Sequence, residues 1–430
     1  PLFDSHADST VTVSVKTGDG GQGKTGGAGG SVAGFSSASV MDQIVGGIVY
    51  LNYVVMDITS GKGGAGSEGA GGNGGNISFA PAGIAGVTYY DPDIKVLPAE
   101  NPELIPLRIT AGAGGGASTK GGLGGSITSL VAKNALVAEN TVLTFNELAG
   151  ARLIAGDGGA GTLLGAKGGD VSKITIGTYF DLFVQSGSGG AGGVAGVGGA
   201  GGLLGNSTFG SVTAGLHLES GHGGGGGKTG GTGGAITALQ VNTPDISTIS
   251  EVYEISRIIA GHGGDASAAA GRAGSGGSIS RVFQSKDINS AINLIEAGNG
   301  GAAPTGVGGK GGSISSISTK GFIGSPTDGG VRLGIFDQID EAQGLFVGRG
   351  GAGTVAGIAG TVSSVSARQI AAIAASIDAS GNFAPASRVS GVTAEVIGYD
   401  INRNGALDTG DGFLWADALS GVVKTVKLKK

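Results

Sequence analysis

Residues 216–239 read LHLESGHGGGGGKTGGTGGAITAL. Leu216 and Leu218 alternate with polar neighbours, the period of a strand buried on one face. Three residues past Leu218 the chain turns to glycine, and it leaves the glycine through Ile236 and Leu239. The same unit recurs: an apolar residue, two spacers, G-x-G-G, a variable tip, then G-G-x-h-x-x-h, where h is apolar. Its G-x-G-G motifs begin at Gly18, Gly61, Gly112, Gly156, Gly187, Gly221, Gly261, Gly298 and Gly348. Three residues before each stand Val15, Ile58, Ile109, Leu153, Val184, Leu218, Ile258, Ile295 and Leu345. An apolar residue at one fixed offset in all nine units marks a buried position that the fold repeats.

The trailing side is equally regular. Val32/Phe35, Ile127/Leu130, Val171/Ile174, Ile236/Leu239, Ile279/Val282, Ile314/Ile317 and Val362/Val365 share the h-x-x-h spacing. That spacing suits a helix, but the β-branched residues with Ser, Thr and Gly between them favour a short strand turning a corner. Successive units start 43, 51, 44, 31, 34, 40, 37 and 50 residues apart, so insertions fall between conserved-length cores. The pattern predicts an all-β chain, a parallel β-helix or β-solenoid whose rungs contact only their neighbours.

Glycine contributes 96 of 430 residues against only 10 prolines, with no sustained triplet register, which excludes collagen. At 39% hydrophobic, the chain holds enough apolar surface for an ordered core. Charge is sparse at 13%, with a net −6, so no basic field exists for nucleic acid. The absence of Cys excludes disulfide scaffolds, thiolate zinc sites and cysteine nucleophiles. The most apolar stretch, Ile44 to Met56, is 13 residues and broken by Gly46, Gly47 and Asn52, too short to span a bilayer. The chain opens on Pro1 without an apolar leader and reads as a processed or trimmed, exported, soluble protein.

Glycine in extended chain costs roughly 0.5 to 1 kcal/mol per residue relative to Ala, so runs such as Gly187 to Gly202 need a compensating gain. Polyglycine II-like arms packed side by side supply one, because absent side chains let backbones approach and pair. The sequence divides into an N-terminal arm over 1–10, nine units over 11–366, and a C-terminal cap or assembly module over 367–430. Within it, residues 367 to 376, ARQIAAIAAS, read as a short helix, and the end as a strand alternating Val423, Val426 and Leu428 with lysine. Residues 80 to 106, with Pro81, Pro92, Pro98, Pro102 and Pro106, read as an irregular loop.

Several motifs invite chemistry. GDGGQGKT, Gly18 to Thr25, satisfies the phosphate-loop pattern, but the TGGAGG that follows cannot open the helix such a loop requires. His222 and His262 occupy the x of G-x-G-G, where the other units carry Asp19, Lys62, Ala113, Asp157, Ser188, Asn299 and Arg349. So mixed a set describes a solvated position rather than a metal site. Calcium-binding nonapeptide repeats fail for want of a nine-residue period. One site survives, Asp400 to Asp411, DINRNGALDTGD. It offers side-chain oxygens from Asp400, Asn402, Asn404, Asp408 and Asp411, pivots on Gly405, and adds the Ala406 carbonyl, a donor set suited to Ca²⁺. No catalytic set can be nominated from spacing.

The phrases GGSITSL, GGAITAL, GGSISRV and GGSISSI, with RLIAGDGG and RIIAGHGG, resemble the glycine-rich β-strand repeat surface proteins of Planctomycetes and Verrucomicrobia. The Asp400 to Asp411 stretch resembles a dockerin-type calcium loop. The resemblance implies an exported β-solenoid at the cell surface and no activity. The expectation is a non-enzymatic structural subunit of an extracellular filament, sheath or fibre, assembling head to tail as a homo-oligomer, without nucleic acid or membrane insertion. The runner-up is an adhesin whose partner is extracellular polysaccharide. An ice-binding solenoid and a polysaccharide-acting enzyme rank lower, for Thr recurs at no repeat position and no paired carboxylates line the strands.

Overall fold

The computed structural model describes residues 10–37, 43–45, 48–50, 53–85, 107–133, 148–177, 179–242, 256–284, 291–324, 344–370, 373–374, 376–377, 383–384, 386–394, 396–397 and 414–415. Among them every regular element is a strand and nearly all pairing is parallel. No helix among the described residues is long and apolar enough to cross a membrane. The apolar stretch around Gly46 and Gly47 pairs Gln43–Val45 with Ile48–Tyr50 antiparallel.

Each unit's leading strand pairs with the leading strand of the next. The register runs Val15, Ile58, Ile109, Leu153, Val184, Leu218, Ile258, Ile295 and Leu345, so the nine apolar positions are direct partners. Trailing strands pair likewise through Val32, Ile77, Ile127, Val171, Leu204, Ile236, Ile279, Ile314 and Val362. The inward residues of both ladders form one buried apolar cluster. Each buried Ile, Leu or Val contributes about 1.5 to 3 kcal/mol, so the core gains stability unit by unit. Unit length varies between a trailing strand and the next leading one: a single strand, Leu204–Glu219, serves as both in the fifth-to-sixth passage.

The h-x-x-h corner has a backbone cause. The residue before the second apolar position is left-handed in Gly34, Ser129, Lys173, Asn206, Ala238, Arg281, Ser316 and Ser364, with φ between +51° and +65°. One such residue reverses the strand's alternation, so positions i and i+3 both face the core. The second unit places its left-handed residue later, at Gly83, and buries Ile84 instead. In the fifth unit the second position is Ser207, buried, donating to the Gly205 carbonyl and accepting from the Ile174 amide. That polar substitution hid the corner from an apolar pattern.

Two readings need correction. Residues 367 to 376 form no helix where described. Gln369–Ile370, Ile373–Ala374 and Ser376–Ile377 are strands, Ile373 pairing with Leu345 and Val389 with Val362, so a tenth layer continues both ladders. Burial of Ile370 and Ile373 overrides the helix propensity of the alanines. The loop assigned to 80–106 begins later, because Ile77–Ala85 is one strand. Pro81 falls between the residues that pair onward, Ile77, Ser78, Ile84 and Ala85, where no ladder amide is required.

Candidate functional site: the glycine layer and its polar columns

The glycine arms lie beside the core and are bonded in two directions. Across the arms, Gly30 donates to Gly18 O, Gly61 to Gly30 O, Gly75 to Gly61 O and Gly112 to Gly75 O. This zigzag continues without a break to Gly360, which donates to Gly348 O, every bond between 2.7 and 3.2 Å. A second zigzag runs from Gly21 to Gly357, all glycine except Ala166. Along the units, amides three residues apart, Gly20, Gly23, Gly26 and Gly29, donate to the carbonyls of Lys62, Ala65, Ala70 and Asn73 in the next unit. Such spacing gives the inward-facing arm amides partners outside their own segment, the requirement for burying extended backbone.

Close approach is why the residue must be glycine. A Cβ on Gly61 would stand 1.9 Å from Gly18 O, and one on Gly311 1.9 Å from Gly348 O. The first unit differs: among the described residues, no atom lies within 4 Å of a Cβ built on Gly18 or Gly21. Among the described residues, the strand Thr10–Lys16 pairs only with Tyr53–Thr59, and Val32–Ser37 only with Ile77–Ala85. Val13, Val15 and Phe35 are therefore only partly buried at this end of the core. Among the described residues, this face presents open strand edges and a glycine arm with no backbone against it.

The x of G-x-G-G has a task that composition concealed. Asp19 Oδ1 accepts the amide of Lys62 (2.8 Å), Asp157 Oδ1 that of Ser188 (2.7 Å), and Asn299 Oδ1 that of Arg349 (2.7 Å). The two histidines do the same: His222 Nδ1 accepts the amide of His262, and His262 Nδ1 that of Asn299, both at 2.9 Å. Thus five of the nine side chains cap the corresponding amide of the next unit. The position is half-exposed, as its composition suggests, yet acceptors there bind unit to unit. The usable signal was the recurrence of acceptor side chains, which a tally of charge obscures.

Around these histidines lies a group of polar side chains. Glu219 sits between His222 (Oε1 to Nε2 3.3 Å) and His217 (Oε2 to Nε2 3.4 Å), and accepts from Gln185 Nε2 (3.3 Å). The hydrogen bonds from His217 and His222 hold its carboxyl down at about 2, against the opposing effect of burial. One register column sets Arg152, Phe183, His217 and Arg257 side by side. Arg152 lies over the Phe183 ring at 4.8 Å, and the Phe183 and His217 rings are 5.0 Å apart. Burial raises the Glu296 carboxyl, opposed by Arg349 and Arg257.

The phosphate-loop look-alike has no helix behind it: Gly26 donates to Ala70 O as part of the arm, and Lys24 pairs with Glu68 at 3.0 Å on the surface. The stretch read as a calcium loop, Asp400, Asn402, Asn404, Ala406, Asp408 and Asp411, lies outside the described residues, as does the terminal lysine-bearing stretch read as a strand. No family model matches the chain, and no curated protein or solved structure does.

Proposed function

We propose that the chain is a structural subunit, a β-solenoid with polyglycine II-like arms that joins end to end into an extracellular filament, sheath or surface fibre. The observation that carries this reading is the first unit: it has the strands, register and glycine arm of every later unit, and among the described residues nothing pairs with its other edge. An open edge of this kind accepts another parallel layer unless charge or a lid protects it. In this reading the C-terminal segment of a second copy, whose closing strand Val422 to Lys430 alternates apolar residues with lysine, meets an N-terminal arm bearing Asp4 and Asp8. A heterologous contact of this sort propagates. Calcium held by Asp400, Asn402, Asn404, Asp408 and Asp411, with the Ala406 carbonyl, orders that segment. Deleting residues 422 to 430 tests the reading. Loss of polymer with a folded protein remaining supports it, whereas unchanged or increased polymerisation identifies the lysines as guards of the edge.

A second reading, a polysaccharide-binding adhesin, draws on the Arg152, Phe183 and His217 column, an aromatic platform on the outward side of the leading ladder. Glycan binding that is lost in Phe183→Ala, by a protein that forms no polymer, would favour it.

A further inference from the structure

We propose that His222 and His262 form an acid-sensitive joint, which ties the sixth, seventh and eighth units together only while both imidazoles are neutral and loosens there when either is protonated. The proposal stands apart from the assembly reading, since the pair lies in mid-chain, away from either end of the ladders.

The geometry is specific about protons. Both Nδ1 atoms accept backbone amides, at 2.9 Å from His262 N and from Asn299 N. A neutral imidazole has one acceptor nitrogen and an imidazolium has none. Protonation therefore sets an N–H against an N–H at each of these contacts. Glu219 Oε1, 3.3 Å from His222 Nε2, holds the hydrogen of His222 on Nε2 and so leaves Nδ1 free to accept. The two rings overlap at 4.9 Å and 19°, so two charged rings would also repel face to face.

The surrounding charges do not cancel this penalty. His217 and Glu219 approach from the strand Leu204–Glu219, Arg257 from Arg257–Ile259, Glu296 from Leu294–Glu296, and Arg349 follows Asn299 in the same column. Of the two carboxylates, Glu219 is the one that acts on these rings in favour of charge, and it contacts His222 at 3.3 Å. Burial first, and the charge of His222 second, hold the His262 imidazole below its ordinary 6.5, with Glu219 opposing. The folded protein thus binds this proton less readily than the unfolded chain. Stability at the joint is full above about 6.5 and declines as pH falls through the folded-state value.

The neighbouring unit supplies the control. Asn299 does the same work with Oδ1, an acceptor that cannot be protonated in this range. Amide exchange of the full chain, corrected for intrinsic rate, would be followed by peptide from pH 7.5 to 5. The expectation is at least a tenfold loss of protection over residues 256–302, with residues 53–133 unchanged, and no such loss in the His222→Asn/His262→Asn double variant. A loss shared by all units, a loss that persists in the double variant, or no loss in the natural protein would each overturn the proposal. Should the variant fold poorly, ¹⁵N spectra of histidine-labelled natural protein decide. Nδ1 unprotonated in both rings at pH 7.5 is expected, and hydrogen on either Nδ1 refutes the joint.

Discussion

Gly233 lies so close to Gly261 of the next unit that a Cβ on it would stand 1.9 Å from the Gly261 carbonyl oxygen. Val at Gly233 or Gly311 must separate arms that are bonded on both sides. A loss of more than about 3 kcal/mol is expected, above the usual cost of overpacking, because backbone and not a movable side chain is struck. Lys228→Ala and Lys310→Ala should lie within about 0.5 kcal/mol of the natural protein, as exposed substitutions do. The same contrast exists within one repeat position. Gly18→Ala is expected to be tolerated and Gly61→Ala is not, since only the second meets a carbonyl. Thermal unfolding of these six variants checks this.

The corner of each trailing strand carries a left-handed residue that is not always glycine. Ala238 adopts φ +55° with no polar side chain to ease it. A left-handed L-residue costs about 1 to 2 kcal/mol, and glycine's extra chain entropy returns roughly 0.5 to 1. Ala238→Gly should therefore stabilise its unit by about 0.5 to 1 kcal/mol, and Ala238→Val should destabilise it. Amide exchange over residues 233–242 is the appropriate measure, because repeat units open locally.

Three buried serines, Ser60, Ser186 and Ser220, precede G-x-G-G motifs, and they differ in partners. Ser220 donates to Gly234 O at 2.7 Å and accepts from Gly261 N at 3.0 Å, whereas the Ser186 hydroxyl makes no hydrogen bond. Ser220→Ala should cost about 1 kcal/mol and Ser186→Ala nothing, or a small gain. Alanine already serves at Ala111, Ala155, Ala260 and Ala297 in the same column, so neither change introduces strain. Denaturant unfolding of the two variants distinguishes them.

Glu219 gives a second pH dependence, below that of the histidines. Its carboxyl titrates at about 2 in the folded chain and 4.5 in the reference state, so the unfolded chain binds the proton first as pH falls. Its contribution is complete above 4.5 and lost progressively toward 2. Comparing Glu219→Gln with the natural protein, the difference in protection over residues 204–219 should shrink as pH falls from 4.5 to 2. A difference constant across that window would contradict the assignment.

Calcium removal should act locally. If Asp400 to Asp411 binds the ion, chelation is expected to expose residues 391–430 to protease while the transition of the preceding units stays in place. Equal cleavage with and without chelator would reduce the loop to a turn.

The strand ladders were legible because burial leaves an apolar residue at each rung: Val15 through Leu345 stand at one offset and prove to be one register column. The arms were legible because a Cβ at most of their positions would stand about 2 Å from a carbonyl, which leaves glycine at all but Ala166 of the two zigzags. Ser207 escaped because a satisfied hydroxyl replaced an apolar side chain in the column, and the tenth layer because no G-x-G-G precedes Val389 and Val392. The capping role of Asp19, Asp157, His222, His262 and Asn299 was hidden for a different reason. An acceptor can be a carboxylate, an amide or an imidazole, so the shared function leaves no shared residue type.

End-to-end joining is the central claim, and the arm of the first unit offers a substitution that spares the subunit. Gly18→Val/Gly21→Val adds side chains where no atom of the described residues lies within 4 Å, yet any layer completing the repeat there would bring carbonyl oxygens to about the distance seen at Gly61 and Gly64, 1.9 and 2.1 Å from a Cβ. Electron microscopy of the natural protein and this double variant, with circular dichroism confirming equal folding, is the most direct measurement. The account predicts filaments of uniform width from the natural chain and separate particles from the variant. Separate particles from the natural chain at every concentration, or filaments from both, would contradict it.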